Sequence, residues 1–116
     1  MIHLKRIYEP ADPLDGHRVL IDRLWPRGFT KSAAQLDEWL KEIAPSTELR
    51  RWFSHQAEHW DEFVARYRAE LAGADAVAQL ERLRCIAGAG PLTLLYAARD
   101  ELQNHAIVLR DLLQGR

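Results

Sequence analysis

The chain has 116 residues, 47% of them apolar, with sixteen basic side chains against seventeen acidic ones. That length suits one hydrophobic core and a single domain over 1–116, and that apolar share excludes a chain held open by charge. Balanced charge excludes bulk attraction to nucleic acid or an anionic membrane, and no apolar run approaches a membrane span or a signal-peptide core.

The first element is a short strand within positions 2–8, "IHLKRIY", with Ile2, Leu4 and Ile7 as its apolar members. "EPADPLDG" follows and reads as a loop, since two prolines, two aspartates and a glycine punctuate it. "HRVLIDRLW" is the second strand. Its unbroken Val19-Leu20-Ile21 run fits a strand covered on both faces, as in a parallel sheet flanked by helices.

Helical spacing then takes over. Leu36, Trp39, Leu40 and Ile43 fall at i, i+3, i+4 and i+7, which predicts a helix ending before Pro45. Ser46 is placed to cap the next helix, with Glu48 in its first turn and Leu49, Trp52 and Phe53 inside. Trp60, Phe63, Val64, Tyr67 and Leu71 mark a third helix, with Glu62 and Arg66 paired on its outer face. Ala76, Leu80, Leu83 and Ala87 mark a fourth, ended by the glycines of "GAGP". "LTLLYAARD" is the last strand. Asp100 and Gln103 resemble a capping box opening a final helix through Leu102, Ala106, Leu109 and Leu113; Asn104 is the alternative cap for a later start. The order predicts a small three-layer α/β fold, with a short, mainly parallel sheet of about three strands flanked by helices.

In open α/β sheets ligands sit beyond the carboxyl ends of the strands. Here each apolar run delivers polar residues to that edge: Arg6 and Tyr8, then Asp22, Arg23, Trp25 and Arg27, then Arg99, Asp100, Asn104 and His105. A turn needs only Pro26 and Gly28, whose geometry can also leave backbone N–H groups facing an anion. Arg27 has the strongest claim to a ligand, because no acid lies near it at helical spacing. Each other member has a plainer reading. Asp22 and Arg23 suit a structural ion pair, Trp25 core packing, and His105 a buried histidine satisfied by backbone or a proton carrier near neutral pH. Lys41 and Ser46 flank the break at Pro45 and are candidates to close the site from above.

Thirteen of the basic residues are arginines and three are lysines. Arginine excels at bidentate capture of phosphate or carboxylate, although a GC-rich coding bias is the plainer source of the excess. The single cysteine, Cys85, sits in a helical apolar pattern and reads as buried filler in a reducing cytoplasm. His55 and His59 have i, i+4 spacing without an HExxH motif, so no metal site is expected. Nothing in the sequence names a cofactor. There is no P-loop, no GxSxG, and the glycines of "GAGP" precede a strand instead of following one.

Taken together, "RVLIDRLWPRGFTK", "LDEWLKEIAPS", "LRRWFSH", "WDEFVARYRAEL", "LTLLYAARD" and "NHAIVLRDLL" resemble the YeaO-like branch of the domain-of-unknown-function 488 family. The resemblance spans nearly the whole chain. It implies a small bacterial or archaeal α/β domain and assigns no activity. It groups Arg6, Asp22, Arg23, Arg27, Lys41, Ser46, Asp100, Asn104 and His105 as positions within the family's motifs.

The expected function is therefore an enzyme or binding domain for a phosphorylated or otherwise anionic small molecule, a nucleotide among the candidates. Arg6, Arg23 and Arg27 would hold the anion, Asp22 or Asp100 would orient or deprotonate, and His105 would move a proton. The alternative is a non-catalytic module for nucleic acid or protein, with Arg50, Arg51, Trp52, Arg66, Tyr67 and Arg68 tracking a backbone. Balanced charge disfavours it.

Overall fold

A computed structural model describes residues 2–54 and 56–115. Four parallel strands form one sheet in the order β1-β4-β2-β3, with β1 at Ile2–Arg6, β2 at His17–Leu20, β3 at Glu38–Trp39 and β4 at Leu92–Tyr96. The helices are α1 (Lys31–Ala34), α2 (Thr47–Phe53), α3 (Trp60–Glu70), α4 (Ala74–Ala89) and α5 (His105–Leu113). The expected α/β class is observed, with one strand more than expected.

The central strand β4 is buried along its whole length, as its unbroken apolar run requires. Alternation sorts its neighbours between two cores. Val19, Ile21, Leu92, Leu94 and Tyr96 face the larger core, built with residues of α2 to α5. Leu20 and Leu95 face a smaller one with Ile7 and Ala34, closed by Trp25, Phe29, Leu36 and Trp39. The second face is covered by α1 and the long β2–β3 connection, with Asp15 of the β1–β2 connection bonded to Lys5, Arg18 and Thr93 on the same side.

The extra strand replaces a predicted helix. Leu36, Trp39, Leu40 and Ile43 do not share a helical face: α1 stops at Ala34, Gln35 turns left-handed, and a 3₁₀ turn occupies Lys41–Ile43. Long-range bonds decide the matter. Arg18 and Asp37 exchange bonds, with Arg18 N donating to Asp37 Oδ2 at 2.8 Å and Asp37 N to the Arg18 carbonyl at 2.9 Å. Trp39 Nε1 then donates to the Asp22 carbonyl at 2.6 Å. The last helix also begins later than the Asp100–Gln103 box implies. It starts at His105, with Asn104 Oδ1 accepting from Ile107 N. Ser46 caps α2 as expected, and Glu62 pairs with Arg66.

Gly16 has a positive φ of 66°, and a Cβ there would lie 2.3 Å from the Pro91 carbonyl oxygen. That carbonyl accepts from His17 N at 3.0 Å, so the closeness that demands glycine also starts the β2–β4 ladder. Beside it, Arg18 is buried with its guanidinium on Asp15 at 2.5 Å and on the Gln35 and Ala34 carbonyls. Cys85 is exposed on α4, contrary to the buried position expected of it. Among the described residues no helix is long and apolar enough to cross a membrane.

Candidate functional site

A cleft of about 700 Å³ lies beyond the carboxyl ends of β1, β2 and β4. Its walls come from Tyr8 after β1, Asp22 to Arg27 after β2, and Ala97 to Asp100 with Asn104 and His105 after β4. The fourth wall is Ala44, Pro45, Arg50 and Phe53 around the start of α2, with Phe63 of α3 behind. Three segments leaving the sheet do converge on one hollow, and its size is that of a small-molecule site.

At the base of the cleft, Asp22 Oδ2 accepts from Ala97 N at 3.0 Å, linking the ends of β2 and β4. His105, the first residue of α5, brings Nε2 to 2.9 Å from Asp22 Oδ1 and 3.1 Å from the Ile21 carbonyl. The carbonyl is the better aligned acceptor, so Oδ1 is buried beside the ring without an aligned donor among the described residues. Behind them Tyr67, fully buried, donates to the Ile43 carbonyl at 2.6 Å. Burial pushes its phenol far above the ordinary range and keeps it a donor. A fully buried Tyr67 offers no plate for a base to stack on.

The arginines divide by what they touch. Arg23 does not pair with Asp22; its Nε and Nη2 donate to the Pro45 and Ala44 carbonyls at 3.1 and 3.0 Å. It therefore staples the wall in place. Arg6 does the same for the β4 exit, donating to the Ala98 and Ala97 carbonyls at 2.9 and 3.0 Å, and it is not part of the wall. Arg27, Arg50 and Arg99 differ. All three line the cleft, all are exposed, and none of their guanidinium groups has a hydrogen-bond or ion-pair partner among the described residues. With Arg23 the wall holds four guanidinium groups against the carboxylates of Asp22 and Asp100.

Of the other expected members, Lys41, Ser46 and Gly28 lie outside the wall, while Trp25, Asp100 and Asn104 belong to it. Lys41 sits over the Trp39 ring at 5.2 Å, outside the wall. Ser46 is held by Glu70, donating Oγ to Oε2 at 2.6 Å and N to Oε1 at 2.9 Å, also outside it. Gly28 turns the loop with φ 74° but does not line the cleft. Trp25 lines it while donating Nε1 to the Phe29 carbonyl and packing its ring edge-on to Trp39. Asp100 Oδ1 accepts from Leu102 N and Gln103 N, shaping the loop, and Asn104 is buried as the cap of α5. His55 lies outside the described residues, while His59 stacks on Trp52 at 4.5 Å. Arg50 was legible only as part of a basic track, because nothing local shows that Pro45 swings the start of α2 toward the strand ends.

The model of the family described as the inactive DUF488-N3 subclade matches residues 1–116. The chain belongs to that subclade. Two similar members agree in length: the uncharacterised protein YeaO of Escherichia coli (strain K12) is 50% identical over 114 residues, covering 98% of this chain and 97% of YeaO. The uncharacterised protein Rv3073c of Mycobacterium tuberculosis (strain H37Rv) is 44% identical over 115 residues, covering 99% and 95%. No solved structure matches. The DUF488-N3 assignment confirms the YeaO-like family resemblance.

Proposed function

We propose that this chain is a binding domain for a phosphorylated or similarly anionic small molecule, held in the cleft at the strand ends. The observation that carries the reading is the set of three uncommitted arginines, Arg27, Arg50 and Arg99, around one cavity. Guanidinium groups with no acceptor among the described residues, lining a shared hollow, are arranged for an anion with several oxygens. The family's description as inactive favours binding over turnover for this chain. Arg6 and Arg23 serve this reading as positioning residues, since Nε and Nη2 of each are held by backbone carbonyls. The setting we propose is the cytoplasm, where phosphorylated metabolites abound.

Thermal unfolding with and without phosphate compounds tests it. Wild-type protein should gain several degrees of melting temperature in millimolar organic phosphate. Arg27→Ala should keep its own melting temperature and lose most of that gain. Equal gains in both proteins would remove Arg27 from the site.

A further inference from the structure

Resting on that reading, the geometry around His105 narrows the ligand. Nε2 of this ring faces two groups, a carboxylate oxygen of Asp22 and the Ile21 carbonyl, and both can only accept. An uncharged imidazole carries one proton, and two acceptors beside Nε2 fix that proton there. Nδ1 is then an acceptor. It has no partner among the described residues and is not a buried orphan, and His105 lines the cleft. Its lone pair is thus available to a guest.

The walls add two further requirements. The arginines at the rim call for phosphate oxygens. The lining also includes apolar Leu24, Pro45, Phe53, Phe63 and Ala97, with aromatic Tyr8 and Trp25. A bare sugar phosphate has hydroxyl donors but no flat apolar body, and phenyl phosphate has the body without the donor. We infer that His105 reads a hydroxyl or amino donor through Nδ1, and that the ligand is a phosphate ester bearing an aromatic ring and such a donor, of the nucleoside monophosphate class.

Calorimetric titration with inorganic phosphate, ribose 5-phosphate, phenyl phosphate, and adenosine and uridine 5′-monophosphates tests this. A nucleoside monophosphate should bind at least about tenfold tighter than phenyl phosphate or ribose 5-phosphate, because it alone meets all three requirements. His105→Gln keeps an N–H near the Nε2 position and removes the Nδ1 acceptor. It should narrow the gap between nucleoside monophosphate and phenyl phosphate by about five- to tenfold, the worth of one hydrogen bond. Nitrogen-15 spectra of histidine-labelled wild-type protein should show the His105 proton on Nε2, a readout independent of any variant's folding. A proton on Nδ1, an unchanged gap in His105→Gln, or equal binding of phenyl phosphate and nucleoside monophosphates would each overturn the inference while leaving the arginine site intact. Failure of every phosphate compound to bind wild-type protein would instead remove the site, and this inference with it.

Discussion

At the scale of single residues, the division of arginines is the informative result. Arg23 and Arg27 are four positions apart in one loop, yet one is bound to two carbonyls and the other to nothing among the described residues. Charge-assisted bonds to backbone carbonyls are costly to break. Arg23→Ala should therefore lower stability in urea denaturation by about 2 kcal/mol, whereas Arg27→Ala should stay within about 0.5 kcal/mol of wild type. A reversed order would exchange their roles. The sequence made Arg27 legible, because an arginine between proline and glycine has no local acid to satisfy it. It left Arg6 and Arg23 looking like ligand contacts, since their acceptors are backbone carbonyls from distant segments. No side-chain pattern announces a carbonyl.

Among the elements, the unbroken apolar runs at Val19–Ile21 and Leu92–Tyr96 made two central strands and their parallel pairing readable, since burial on both faces removes polar alternation. The edge strand β3 was hidden for the opposite reason. Four apolar positions within eight residues satisfy a helical period as readily as they satisfy a two-residue strand and a 3₁₀ turn. The reciprocal Arg18–Asp37 bonds, the Trp39–Asp22 bond and the bond from Leu40 N to the Leu20 carbonyl distinguish them, and these join positions seventeen to twenty apart. The start of α5 shows a similar contest. Asp100 has the chemistry of a cap, but its side chain serves an exposed loop, and Asn104 takes the cap. That shift of one turn carries His105 to the first helical position, beside Asp22. The residue was in the expected set; its partner was not foreseeable.

For the whole molecule, two carboxyls outside the cleft wall, Asp15 and Glu38, predict an acid sensitivity. Burial alone would raise the Asp15 carboxyl, but the Asp12 N–H, Lys5 and Arg18 outweigh it and hold it below the ordinary aspartate range. Arg82 holds Glu38 low against its partial burial, with His17 adding a bond at 2.6 Å. Both carboxyls are thus depressed in the folded chain. Their contribution is complete above the unfolded values near pH 4 and is lost as pH falls through the folded ones. Melting temperature should be insensitive to these groups above about pH 5 and should fall steadily below about pH 4. Asp15→Asn should flatten part of that acid limb while lowering stability at neutral pH. An unchanged acid limb would show that the Asp15 network does not govern it.

In the proposed binding role, committed charges fix the frame of the cleft and uncommitted ones are left for an anionic guest. Titrating inorganic phosphate into nitrogen-15-labelled protein and following the arginine Nε–H resonances tests that most directly. The Arg27, Arg50 and Arg99 signals should move together and saturate, while those of Arg6, Arg18 and Arg23 stay still. Shifts that never saturate, or that fall on the carbonyl-bound arginines instead, would contradict the account.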